Sequence, residues 1–143
     1  MTGPRDEALL AILRGQRRGV LATIAVDGRP HQSVLDYTFD AETNLIRMST
    51  TDGRTKVRNM LRDPRVSLHV GTPGFSEWMV AEGTADLTPA AKSEHDATAE
   101  ELVDVYRAIQ GEHPDWDDYR RAMVADGRLV VRIWIERVYG LAR

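Results

Sequence analysis

STTDGRTKVRNMLRDPRVSLHV, from Ser49 to Val70, holds the end of one strand, a polar turn, one short helix and a further strand. Asp63-Pro64 marks the helix end, because the residue before a proline is pushed out of the helical region. Thr50, Thr51 or Asp52 is expected to cap the start. Five of the chain's nineteen Lys and Arg residues fall between Arg54 and Arg65, with Asp63 the one acid among them. The chain as a whole is acidic, with net charge -3, so this is a local inversion of charge. Arg54 and Lys56 are placed in the first helical turn, where free backbone N–H groups and the dipole already favour an anion. A plainer reading makes Arg54, Arg58 and Arg62 the wet face of an amphipathic helix, with Val57, Met60 and Leu61 turned inward.

Outward from that segment the pattern is mostly strand. Gly19 to Val26 (GVLATIAV) is rich in β-branched residues and ends at Asp27-Gly28, a hairpin signal. The next strand runs from Pro30 through HQSVLDYTF to Phe39, Asp40–Asn44 turns, and Leu45–Ser49 is the third strand of an antiparallel meander. After the basic helix come Arg65–Gly71 and Trp78–Leu87, the latter with Gly83 as a candidate bulge. Arg128–Val138 alternates cleanly and makes the sixth strand. Helices are expected over Asp6–Arg14, covering an edge, from Thr88-Pro89 to about Gln110, and over Asp115–Ala125. Leu102, Val105, Tyr106 and Ile109 form the buried stripe of the long one. Asp-Gly-Arg recurs at Asp27, Asp52 and Asp126, always at a boundary between elements, and reads as turn chemistry.

Composition narrows the function. At 143 residues the chain is expected to be one domain, residues 1–143. The absence of cysteine rules out disulfides and thiolate chemistry. No apolar run approaches membrane-spanning length and no signal peptide is evident, which fits a cytoplasmic protein. Bulk nucleic-acid binding does not suit a net acidic chain. Glycine fingerprints for dinucleotides or a P-loop are missing, and Phe75-Ser76-Glu77 is no nucleophile elbow. His69 and His95 read as ordinary surface or packed residues, and the acidic run Glu112–Asp118 reads as helix capping rather than a cation site. No acid–base pair stands out, so an enzyme here would rely on a cofactor. Neither a side-chain nucleophile nor a metal is expected.

The order and spacing of GVLATIAVDGRPHQSVLDYTFD, RTKVRNMLRDPRVSLHV and VAEGTADLTP resemble the split β-barrel flavoproteins related to pyridoxamine 5′-phosphate oxidase. The likeness is nearest to the actinobacterial branch that uses the deazaflavin coenzyme F420. GEHPDWDDYRRAMVADGR and the closing VYGL are similar to that branch too, so the resemblance covers about residues 8 to 142. It implies a mainly β, α+β fold: a six-stranded antiparallel split β-barrel with flanking helices. It also implies a homodimer with cofactor sites at the subunit interface.

Carried over residue by residue, Lys56 holds the phosphate-binding lysine position, and Arg54 makes the Arg-x-Lys pattern of the deazaflavin-using relatives. Ser49 and Thr50 match the strand end that reaches the phosphate. His31, Gln32 and Ser33 match the ring-contacting strand, largely through backbone groups. Trp78 matches an aromatic near the cofactor on the fifth strand, a candidate for donation by the partner subunit. Arg58 and Arg62 are further candidates for a cationic rim facing the phosphodiester and polyglutamate tail. The vitamin B6 oxidases continue into a C-terminal segment bearing Trp and Arg residues, whereas this sequence ends at Leu141-Ala142-Arg143, so that activity is not expected. The implied function is an F420-dependent oxidoreductase that passes a hydride to a small organic substrate. FMN on the same fold is the alternative cofactor, and a non-catalytic dimer that stores or delivers a flavin-like group is the alternative class.

Overall fold

Tyr37 is the residue on which the architecture turns. The computed structural model describes residues 3–143. The strand expected from Pro30 to Phe39 is two strands, β2 (Pro30–Asp36) and β3 (Thr38–Asp40), with Tyr37 alone between them. The other strands are β1 (Arg18–Ile24), β4 (Leu45–Thr51), β5 (Arg65–Gly71), β6 (Trp78–Leu87) and β7 (Arg128–Leu141). They form one antiparallel sheet in the order β2-β1-β5-β6-β7-β4-β3, so β2 and β3 are its opposite edges. In a flat seven-stranded sheet those edges would be about 29 Å apart, and a single residue spans at most about 3.6 Å. The sheet must therefore curl until its edges meet at Tyr37, which gives a split half-barrel with seven strands rather than the six expected. Tyr37 pins the meeting point: its N–H donates to Arg17 O at 2.8 Å and its buried hydroxyl donates to Leu13 O at 2.7 Å.

Four α-helices complete the fold among the described residues: α1 (Pro4–Gly15), α2 (Thr55–Arg62), α3 (Ala97–Gln110) and α4 (Trp116–Asp126). Helix α1 does more than cover an edge. Its Leu9, Leu10, Ile12 and Leu13 enter the interior of the curl and pack with Leu21, Met48, Leu68, Met79 and Ile133. On the outer side of β4 and β7, α3 and α4 bury Leu102, Val103, Val105 and Tyr119 around Val130. Gly83 is the bulge, with a register shift between Glu82 and Gly83 on the β6–β7 ladder. A Cβ at Gly83 would lie 2.2 Å from Trp134 O, so the close backbone approach admits only glycine.

Two helix boundaries differ from expectation for local reasons. Thr88 does not start α3. Its backbone N–H donates to Val130 O and its hydroxyl accepts from Val130 N–H, both at 3.0 Å, so it prolongs the sheet. Asp96 caps α3 instead, accepting from Ala99 N–H at 2.8 Å. At α4 the expected capping is present, with Asp115 accepting from Asp118 N–H at 3.1 Å.

Candidate functional site

Helix α2 begins later than its sequence suggests. Thr51 still belongs to β4, and the N-cap is Arg54, whose side chain makes no capping bond. The first turn holds no acid. The buried arc of the helix runs through Val57, Asn59 and Met60, while Leu61, expected inward, is 70% exposed. Asn59 sets that rotation: its side-chain amide donates to Thr23 Oγ1 at 3.0 Å in the interior.

The basic residues of the segment then separate by partner. Arg58 donates to Gly53 O and Thr55 Oγ1. Arg62 donates to Ile24 O at 2.7 Å and Asn59 Oδ1 at 2.9 Å. Arg65 is clasped by Asp63 at 2.7 Å, and its guanidinium and N–H hold that carboxyl down at about 2. Arg58 and Arg62, expected on a cationic rim, are thus engaged in holding the turn and the β1 end. Among the described residues, the side chains of Arg54 and Lys56 alone in this segment have neither a hydrogen bond nor an ion pair.

Lys56 is half-buried, and its pKa is lowered, first by burial and then by the charges of Arg54 and Arg128. Three cations therefore share one corner with no carboxylate bonded to any of them. Arg128 was not singled out from the sequence. It is brought here because β4 and β7 pair Thr51 with Arg128, and Asp52 N–H donates to Gly127 O at 2.9 Å. Two of the three Asp-Gly-Arg turns stand side by side and present their arginines together. The repeated tripeptide was the available signal, and its second meaning needed the strand pairing.

The other expected residues divide between this corner and elsewhere. Ser49 and Thr50 lie on β4, Thr50 buried and Ser49 accepting a long 3.5 Å bond from Arg128 Nη1. His31 and Ser33 sit on one face of β2 and Gln32 on the other, opposite Ala22. The side chains of His31 and Ser33 are distinctive: His31 Nδ1 and Ser33 Oγ are buried with no hydrogen-bond partner, as is Arg128 Nε. Buried polar atoms in native proteins are nearly always bonded, so these three leave hydrogen-bonding capacity unfilled. Trp78 is not brought to this corner. It lies on the outer face of β6, edge-on to His69 at 5.4 Å and to Tyr139 at 6.3 Å.

Beside the corner runs a cleft of about 480 Å³ between β2, the end of β4 and the α3–α4 pair, with Ser49 and Arg128 in its lining. A curled antiparallel sheet split along one seam, with flanking helices, is the architecture of a split barrel. Residues 6–142 match the family described as pyridoxamine 5′-phosphate oxidase. The chain belongs to that family. It is 31% identical over 137 residues to the F420H(2)-dependent biliverdin reductase of Mycobacterium tuberculosis, covering 96% of this chain and 88% of that one. It is 29% identical to the 5a,11a-dehydrotetracycline/5a,11a-dehydrooxytetracycline reductase of Streptomyces rimosus, covering 72% and 78%. A crystal structure of a conserved hypothetical protein from Mycobacterium tuberculosis has the same fold, with TM-score 0.72, 23% identity and coverage of 99% and 86%.

Proposed function

We propose that this protein is a coenzyme F420-dependent reductase whose Arg54 and Lys56 hold the cofactor's phosphodiester and acidic tail. The observation that carries this reading is the pair of cations at the uncapped start of α2, partnered by no acid and placed beside a third cation. Such an arrangement is electrostatically unfavourable by itself and becomes favourable when an anion arrives. The orphaned His31 Nδ1 and Ser33 Oγ add polar atoms able to bond a ring's heteroatoms, and the β2 backbone supplies an edge for it. Ser49 and Thr50, at the end of β4, complete the wall towards the phosphate. The name of the mycobacterial relative supports the deazaflavin as the cofactor, and both relatives' names support reduction as the direction.

When bound, the deazaflavin supplies a hydride to an organic acceptor. This chain's residues bind and orient. Arg54 and Lys56 fix one end, and the polar atoms of β2 fix the ring edge. The apolar Val20–Ile24 strand and the walls of the seam keep water from the transfer. No side chain is required to form a bond to substrate.

The functional unit in this reading is a homodimer. Along the outer face of the sheet, Val20, His69, Trp78 and Tyr139 alternate with buried inner residues Leu21, Leu68 and Met79. That face seats a second copy, and Trp78 then reaches the partner's cofactor rather than its own.

The test is a titration of the purified protein with coenzyme F420 and with FMN, followed by tryptophan quenching. Tighter binding of F420 is expected, and tighter binding of FMN overturns the choice of cofactor. Reduced cofactor is then offered to quinones, enones and tetrapyrroles. Turnover of at least one is expected, and turnover of none makes the protein a carrier of the cofactor.

A further inference from the structure

The cleft beside the cationic corner has a chemistry of its own. Val34 and Leu35 of β2 form one wall, with Tyr106 and Ile109 of α3 and Tyr119 and Met123 of α4 opposite. The aromatic side is stiff: Tyr106 and Tyr119 are 4.9 Å apart, and Trp116 and His113 pack against both. Two charged groups of the lining cancel, since Arg18 Nε bonds Asp36 Oδ1 at 2.7 Å. Arg128 does not cancel. No carboxylate bonds it among the described residues, its Nη1 makes one long bond to Ser49, and its Nε is buried without a partner. The Tyr119 hydroxyl supplies no balancing charge, because burial holds its pKa up at about 12, and its proton is given to Leu102 O at 3.1 Å. A cleft with apolar and aromatic walls and one guanidinium that no carboxylate bonds suits a hydrophobic plate with an anionic oxygen at one end.

We infer that this cleft binds the organic substrate, that the substrate is a flat, largely apolar anion, and that Arg128 is the residue that selects it. The inference rests on the reductase reading but assigns Arg128 a task separate from that of Arg54 and Lys56. Arg54 and Lys56 hold the cofactor's acidic tail. Arg128 lies between the two regions and offers the Nη groups of its guanidinium, which no carboxylate bonds among the described residues, to the substrate's oxygen. Lys56 and Arg54, at the start of the neighbouring α2, repel Arg128, and the Arg18–Asp36 pair at the cleft is internally neutral.

The probe is 8-anilinonaphthalene-1-sulfonate, a flat apolar anion that fluoresces in apolar surroundings, with uncharged N-phenyl-1-naphthylamine as its control. Both are titrated into the cofactor-free protein, wild type and variants, after each variant's circular dichroism has been shown to match. Arg128→Gln is expected to weaken the sulfonate at least about 10-fold while changing the neutral probe less than about 2-fold. Arg128→Lys, which keeps the charge, is expected to recover most of that loss. Met123→Glu, which places an acid in the cleft, is expected to weaken both probes at least about 10-fold. Lys56→Ala is expected to weaken F420 but to change the sulfonate less than about 3-fold. The inference is overturned if wild type binds neither probe, if Arg128→Gln binds the sulfonate as wild type does, or if Lys56→Ala loses it as severely. Failure of the cofactor reading would show separately, as an F420 affinity indifferent to Lys56→Ala.

Discussion

Lys56 carries its charge against two opposing effects, partial burial and the nearby guanidiniums of Arg54 and Arg128. Its pKa in the folded chain therefore lies below the ordinary 10.5 of the unfolded chain. Between those two values the unfolded chain holds more protons, so stability rises with pH across that window, and the penalty is fully present below it. Two outcomes follow. Lys56→Ala is expected to raise the thermal midpoint of the cofactor-free protein at pH 7 while weakening F420 binding by about 10-fold or more, measured by differential scanning fluorimetry and fluorescence titration. In wild type, F420 affinity is expected to fall as pH rises through the lowered Lys56 pKa, because only the protonated amine attracts the anion. Asp63 behaves in the opposite sense. Its carboxyl is held at about 2 by Arg65, so its contribution is complete above about 3.8 and is lost as pH falls through 2. A carbon-detected NMR titration should place its midpoint there, and Arg65→Ala should return it towards 3.8 without changing cofactor affinity, since that arginine is already occupied.

At the scale of elements, the interlocks between strand and helix determine where the corner stands. The buried Asn59–Thr23 bond fixes α2 against β1, so Asn59→Ala leaves Thr23 Oγ1 without its donor and is expected to cost about 1–3 kcal/mol in urea unfolding. Tyr37→Phe removes the donor to Leu13 O that ties α1 to the meeting of the sheet edges, at about 1–2 kcal/mol by the same measurement. Gly83→Ala is more severe. Its new methyl would lie 2.2 Å from Trp134 O across the β6–β7 bulge, and a loss of about 3 kcal/mol or more is expected. A loss under 1 kcal/mol would mean that the bulge yields easily.

For the whole molecule, the prediction concerns assembly. Light scattering should report twice the 16.1 kDa of one chain. Tyr139→Glu, on the outer face beside Trp78, should give a folded monomer with weakened F420 binding. A wild-type monomer with full cofactor affinity would remove the partner from the site. Much of this architecture was legible in the chain. The β5 and β6 strands, the Gly83 bulge and the hairpin turn at Asp27-Gly28 follow from alternation and turn chemistry, which act between near neighbours. The charge excess of Arg54–Arg65 is equally local. What no window of sequence contains is the single-residue break at Tyr37, the separation of Arg54 and Lys56 from their engaged neighbours, or the arrival of Arg128 beside them. Those depend on which strands pair, in what register and with how much curl. Contacts between residues some seventy-five positions apart are set by closure of the sheet and by packing of the helices on it, so the tertiary structure alone decided them.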